Sequence, residues 1–335
     1  MGKRKKGSFE NNLKGIAALI VCAILFFAGA KVEALQVFNE AFSNTEIGNL
    51  IIESNEISNQ VAAKDAEIIE NISENIKIIP DKMNVLFFDV GQADSQLIIY
   101  KDQTMLIDAG NVSDGKEITK AIKSLGINQI DYVIGTHVHE DHIGGMSDII
   151  DEFEIGKFYL PYNETSTNKY YENLLNSLTS KNLNINEAVV GDKIYLADIC
   201  SEIMSVDNEE PENTNESSIV VELTYGEQKF LFMGDAEKEN EEARNWNDVD
   251  VLKVGHHGSN TSSTKKFLNQ VLPEISVISV GEGNSYGLPK ADVIERLENL
   301  NTNIYRTDED GTIQIICDGK TSEVVKIDLS FDGNE

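Results

Sequence analysis

Five histidines occur in the chain, and their placement is uneven. Three fall within Thr136-His137-Val138-His139-Glu140-Asp141-His142, and the other two, His256 and His257, are adjacent. Imidazole nitrogens and carboxylate oxygens are the donors that hold a borderline-soft cation such as zinc. His137 and His139 stand two apart, so they project to one side of an extended segment. Asp141 and His142 follow where Gly144 and Gly145 let the chain turn into a helix, and there they can face a second cation beside the first. Two divalent ions ~3.5–4 Å apart share a hydroxide and stabilise both the attacking and the leaving oxygen of a displacement. The chemistry expected is hydrolysis by a metal-activated hydroxide with two divalent metal ions, zinc or, alternatively, manganese. No separate nucleophile is visible.

The elements that must carry this cluster are legible in the apolar patterning. Residues 85–88, 96–100 and 104–107 read as strands, 115–125 as a helix and 131–134 as a strand, so the histidine cluster leaves a strand end. Residues 145–153 read as helical. Strands follow at 219–224, 229–233, 251–254, 275–280, 304–305 and 313–316, with helices at 237–246, 263–272 and 290–300 between several of them. Early hairpins followed by alternating strands and helices indicate an α/β layered domain with mixed sheets over residues 83–335. Residues 307–311 read as a hairpin turn.

In this order the motifs resemble the metallo-β-lactamase superfamily. The resemblance implies a four-layer αββα sandwich with two mixed β-sheets. It also implies roles for single residues. Asp108, in Leu106-Ile107-Asp108-Ala109-Gly110, supports the histidine cluster. Asp235, in Met233-Gly234-Asp235-Ala236, bridges the two metals. His256 is the final ligand, with His257 as second choice. Asp141, besides binding the second metal, orients the water. A narrower resemblance links Asp89-Val90-Gly91-Gln92-Ala93-Asp94 to the opening of the extracellular domain of ComEC-type competence proteins. His256-His257-Gly258-Ser259 and Ser285-Tyr286-Gly287-Leu288-Pro289 are similar to the same group, which matches roughly residues 84–330. Asp89 and Asp94 are expected to tie down the first hairpin turn.

Three departures from those patterns matter. The superfamily's middle histidine, a ligand of the first metal, is absent from the region 213–218. The first site therefore either has an open position or is lined by Asn215 or Ser217. A Gly-His-Pro common in the group is Gly287-Leu288-Pro289 here. The membrane channel of the competence proteins has no counterpart. The missing histidine argues against a β-lactamase. The group's link to nuclease activity makes a phosphodiester the expected substrate, with Ser259, Tyr286 and Lys290 as candidates for holding its phosphate. The alternative is a non-catalytic envelope or competence partner on the same scaffold; the complete histidine cluster favours an enzyme.

Charge narrows the substrate. The net charge is −29, and the first 30 residues hold five of the basic groups against one acid, leaving 23 basic and 56 acidic groups beyond them. Such a surface repels nucleic-acid backbones at long range, so nucleic acid binds only through a local patch or through the metals. A small phosphodiester, such as a choline phosphate or a nucleotide, is better tolerated. The basic groups Lys3, Arg4, Lys5, Lys6 and Lys14 precede an apolar run at 16–30. That run lies between the ~20 residues of a membrane-spanning helix and the ~7–15 of a signal-peptide core. Residues 1–34 are thus expected to be a signal peptide or signal anchor. This hydrophobic N-terminal helix puts an acidic, partly helical stalk at 35–82 and the domain at 83–335 outside the cytoplasm, secreted or held at the cell membrane. Cys200 and Cys317 do not make a disulfide framework.

Overall fold

The first three strands, β1 (Met83–Phe87), β2 (Gln96–Tyr100) and β3 (Gln103–Ile107), form an antiparallel meander. From β3 the chain crosses through helix α1 (Gly115–Ser124) to β4 (Gln129–Ile134), which pairs parallel to β3. Helices α2 (Glu140–Ile143) and α3 (Met146–Glu152) lead to a second parallel neighbour, β5 (Glu154–Leu160), and α4 (Lys169–Ser180) to the short β6 (Ile185–Glu187). The computed structural model describes residues 72, 74–161, 168–207 and 213–333. The apolar run at 16–30 and most of the stalk lie outside the described residues. No helix among the described residues is long and apolar enough to cross a membrane.

The second half builds another sheet. Antiparallel strands β7 (Lys193–Leu196), β8 (Ile199–Ser205), β9 (Val220–Tyr225) and β10 (Gln228–Phe232) are followed by helix α5 (Lys238–Glu242) and by β11 (Val251–Lys253), parallel to β10. Helix α6 (Lys265–Val271), β12 (Ile275–Ile278), helix α7 (Ala291–Glu298) and β13 (Asn303–Arg306) extend the parallel part. The chain then returns to the first sheet, where β14 (Thr312–Cys317) pairs with β1 and β15 (Ser322–Ile327) closes the edge. The two mixed sheets have eight and seven strands, in the orders β15-β14-β1-β2-β3-β4-β5-β6 and β13-β12-β11-β10-β9-β8-β7.

The expected hairpin turn at 307–311 is instead a single helical turn, α8 (Thr307–Asp310). Its neighbours β13 and β14 belong to different sheets, so the connection must cross between layers rather than reverse one ladder. The ordered body also begins ahead of residue 83. Ile76 is buried, and Gln314 Nε2 donates to the Lys77 carbonyl at 2.8 Å.

One apolar core fills the space between the sheets. Val85, Phe87, Ile98 and Ile107 meet Val221, Leu223, Phe230 and Phe232 there, with the Phe87 and Phe232 rings 6.0 Å apart. The alternate residues Leu86, Leu97, Leu106 and Val133 are equally buried, so these strands are covered on both faces and read as continuous apolar runs rather than alternating ones. Beyond the second sheet, Phe267, Leu268 and Val271 of α6 and Val293 and Leu297 of α7 pack on Leu231, Leu252 and Ile278. Stacking of this kind brings the C-terminal ends of β3, β4, β10 and β11 to one rim, where open α/β sheets bind their ligands.

Candidate metal centre

Each donor of the site lies just past one of those strand ends. Asp108 follows β3, and the backbone there takes a left-handed φ of 59°. Thr136 and His137 follow β4, Asp235 follows β10, and His256 and His257 follow β11. Between β4 and α3 the chain packs closely on the β3 exit. A Cβ on Gly145 would lie 2.3 Å from the Ala109 carbonyl oxygen, so no side chain fits there.

Asp108 organises the cluster. Its carboxylate is buried and accepts hydrogen bonds from the Thr136 N–H and the Thr136 hydroxyl, each at 2.8 Å. His142 Nδ1 lies 2.8 Å from Asp108 Oδ2, and His137 Nδ1 lies 3.1 Å from the same threonine hydroxyl. With Nδ1 engaged in this way, each ring presents Nε2 to the centre. His137 Nε2 converges to 3.0 Å from His139 Nδ1 and lies 4.0 Å from Asp235 Oδ2. His142 Nε2 is 3.3 Å from Asp235 Oδ1.

His257 completes the second group. Its Nδ1 bonds to the Ser279 carbonyl at 2.9 Å, which leaves Nε2 at 3.4 Å from Asp141 Oδ2 and 3.6 Å from Asp235 Oδ1. The donors therefore fall into two groups that share Asp235: His137, His139 and Asp235, and Asp141, His142, Asp235 and His257. His142 Nε2, His257 Nε2 and Asp235 Oδ1 are buried without a hydrogen-bond partner among the described residues. Orphaned lone pairs that converge on common points are what a pair of divalent cations requires, so the residues fit the metals.

Of the two adjacent histidines, it is His257, the second choice from the sequence, that falls within a candidate donor group. Both residues sit in a left-handed turn, with φ of 49° and 50°. That turn sends His257 inward, where it is buried, and His256 outward. His256 Nδ1 lies 3.0 Å from Glu237 Oε1 and 3.1 Å from the Thr261 hydroxyl, and its Nε2 stands 3.7 Å from Asp235 Oδ2 at the open edge of the first group.

Charge is divided unequally between the groups. Burial pushes the His137 imidazole well below its ordinary range, with His142 adding to the effect, and burial likewise lowers His139. At His142 burial also opposes the charged form, but Asp235, Asp108 and Asp141 outweigh it and hold the ring well above its ordinary value. At His257 the same opposition is overcome by Asp235, Asp94 and Asp141, which lift it to about 9. Asp235 and Asp141 lie below the usual carboxylate range: burial works to raise them, and the neighbouring histidines, His142 first, prevail.

These shifts predict opposite pH responses with and without metal. In the metal-free protein, protonated His257 contributes stability that is full below 6.5, its ordinary value, and is lost as pH rises through about 9. Metal affinity changes the other way across that window, because fewer protons must be displaced. Thermal melts of chelator-treated protein are expected to fall from pH 6.5 to 9 while metal affinity climbs. A metal-free melting temperature that rises over the window would contradict the assignment.

The remaining expected residues separate. Asp89 does tie the first turn, accepting from the Gly91 N–H at 3.2 Å. Asp94 does not: it is buried and paired with Lys253. Ser217 turns its hydroxyl to the Thr214 carbonyl, and Asn215 donates to Glu237 and lies 3.4 Å from His256 Nδ1. Ser218 comes nearer, 3.4 Å from His137 Nδ1, while its hydroxyl also accepts from the Asp235 N–H. Ser259 bonds to Thr261, and Lys290 Nζ donates to the Tyr286 carbonyl.

Of the substrate candidates, only Tyr286 borders the cleft of about 310 Å³ over the donors, together with Gln92, His139, Asp141, His256, His257 and Leu288. An adjoining cleft of about 710 Å³ is lined by Asp89, Glu140, Asp141, Glu282, Asp308 and Asp332, with no lysine or arginine among the described residues of its wall. Arg306 offsets Asp308 from behind at 2.6 Å. Gln92, Glu237 and Ser218 were not singled out from the sequence. Gln92 was the most accessible of the three, because it stands within the 89–94 motif.

A family model described as the metallo-beta-lactamase superfamily matches residues 88–282, and the chain belongs to that superfamily. It has the hydrolase fold of the superfamily and a candidate dinuclear metal site. Among curated proteins it is 31% identical over 248 residues to ComE operon protein 3 of Bacillus subtilis, covering 68% of this chain and 32% of that protein. It is 30% identical over 234 residues to Recombination protein 2 of Haemophilus influenzae, covering 68% of this chain and 28% of that protein. The chain thus spans about a third of the length of these relatives. Among solved structures, the metallo-beta-lactamase fold protein YhfI from Bacillus subtilis superposes with a TM-score of 0.50 at 10% identity, covering 70% of this chain and 99% of YhfI. That likeness carries the fold alone.

Proposed function

We propose that this chain is an exported hydrolase that cleaves phosphodiesters with two divalent cations, and that small diesters are its substrates ahead of nucleic acid. The observation that carries the reading is the pair of buried donor groups sharing Asp235 beneath an open cleft. Two divalent cations bound there would supply an activated water and offset charge on the attacking and leaving oxygens, the electrostatic demand of phosphoryl transfer. The protein residues do the rest. Asp235 and the histidines fix the cations relative to one another. The Asp141 carboxylate, 31% exposed, faces the cleft and is placed to orient water there. Tyr286 and Leu288 limit the space above.

The acidic wall of the adjoining cleft favours a small substrate. A nucleic-acid strand running along Asp89, Glu282 and Asp332 would set many phosphate charges against like charge, whereas a small diester brings one, which a cationic leaving group offsets. Export completes the proposal, with the domain secreted or held at the cell membrane by the N-terminal segment, in keeping with relatives named for competence and recombination.

The test is direct. Full-length protein is assayed for zinc and manganese content and for turnover of bis-p-nitrophenyl phosphate, single-stranded DNA and nitrocefin, alongside His139→Ala. Diester turnover that His139→Ala abolishes is the expected result. Nitrocefin turnover without diester cleavage would overturn the substrate class, and DNA cleavage outpacing the small diester would overturn the preference for small substrates.

A further inference from the structure

A lysine lies in the protein interior directly behind the metal centre. Lys253 ends β11, and its side chain is fully buried. Nζ stands 2.7 Å from Asp94 Oδ2 and donates to the Val254 carbonyl at 3.0 Å. Asp94 is equally buried. Burying two charges costs several kcal/mol per ion before their attraction is counted, and an apolar pair of similar volume serves stability as well or better. Packing therefore does not explain the pair, and its position does. Asp94 Oδ1 is 3.6 Å from His257 Nδ1, and Oδ2 is 3.9 Å from His142 Nδ1. These are the two imidazoles of the second donor group, approached from the side away from the metal.

We propose that the Lys253–Asp94 ion pair is a positioning device for the second cation. Asp108 and the Ser279 carbonyl, bonded to the two Nδ1 atoms, aim the rings, and the negative charge of the Asp94 carboxylate behind them strengthens both as donors. The ammonium of Lys253 anchors that carboxylate in its outer position, so that it supports the ligands without turning inward to become one. In the first group His137 is held by the Thr136 hydroxyl instead. The pair thus acts on one half of the centre, and the inference rests on the two-cation reading above.

The experiment uses the full chain, stripped of metal and titrated with Zn²⁺ and with Co²⁺, for wild type, Lys253→Met, Asp94→Asn and the double variant. The readouts are metal bound per chain at buffered free metal, the visible spectrum of bound cobalt, and the metal-free melting temperature. Each single variant leaves one charge buried alone and should melt well below wild type. The double variant removes both charges and should recover most of that melting temperature. Its second cation should nevertheless bind about 10–100-fold more weakly, the usual effect of losing an outer support, with the first unchanged and the cobalt spectrum altered. A double variant that binds both cations with wild-type affinity, loses both equally, or fails to fold overturns the proposal while leaving the two-cation reading intact. Wild type that binds only one cation overturns both.

Discussion

Replacing Asp235 with alanine is expected to lower hydrolytic turnover by about 10³-fold or more and to reduce bound metal from two ions per chain to less than one. The reason is its sharing between the donor groups. Oδ1 faces His142 and His257, at 3.3 and 3.6 Å, and Oδ2 faces His137 and His256, at 4.0 and 3.7 Å. No other carboxylate in the two donor groups is common to both. Removing it would take a carboxylate oxygen from each donor group and the negative charge from between them. Metal analysis by plasma spectrometry after gel filtration, with diester turnover on the same samples, gives the answer. Two tightly bound ions in Asp235→Ala would refute the bridging role.

Asp108→Ala should act on the fold as much as on the site. The carboxylate is fully buried and serves the Thr136 N–H, the Thr136 hydroxyl and His142 Nδ1, all at 2.8 Å. Its loss leaves three polar groups without their partner in a place water does not reach, and removing one member of a buried charged pair costs about 3–5 kcal/mol. That is a large fraction of the ~5–15 kcal/mol that holds a typical domain. Denaturant unfolding of the metal-free variant measures the loss without the contribution of bound cations. Metal titration should then show a further loss at the second group, because His142 is no longer aimed. A change under about 1 kcal/mol would mean that Asp108 is not the organising residue.

Both variants concern residues that the sequence already singled out, beside a histidine cluster that locality alone made legible. His137, His139, Asp141 and His142 lie on one turn, so their spacing alone makes them neighbours. The strands were legible because their apolar runs must be continuous where both faces are covered, as in Val85, Leu86 and Phe87. Asp108, Asp235 and the pair at 256–257 required the ordered motif set as well, since a lone acid after a strand is ambiguous. The turn at 307–311 was misread because its local chemistry suits a reversal, and nothing local records that its two strands enter different sheets.

By itself, then, the sequence determined the layered α/β class, the histidine cluster and the absence of the middle histidine. These depend on residue type and short spacing. The tertiary structure alone decided that His257 rather than His256 joins Asp141, His142 and Asp235, because two identical neighbours differ only in where a left-handed turn sends each ring. It alone brought Lys253 to Asp94, and gathered Asp89, Glu282 and Asp332 into one acidic wall. Lys253 and Asp94, like Asp89 and Glu282, stand more than a hundred residues apart, and they come together only once the two sheets have stacked and their strand ends share a rim.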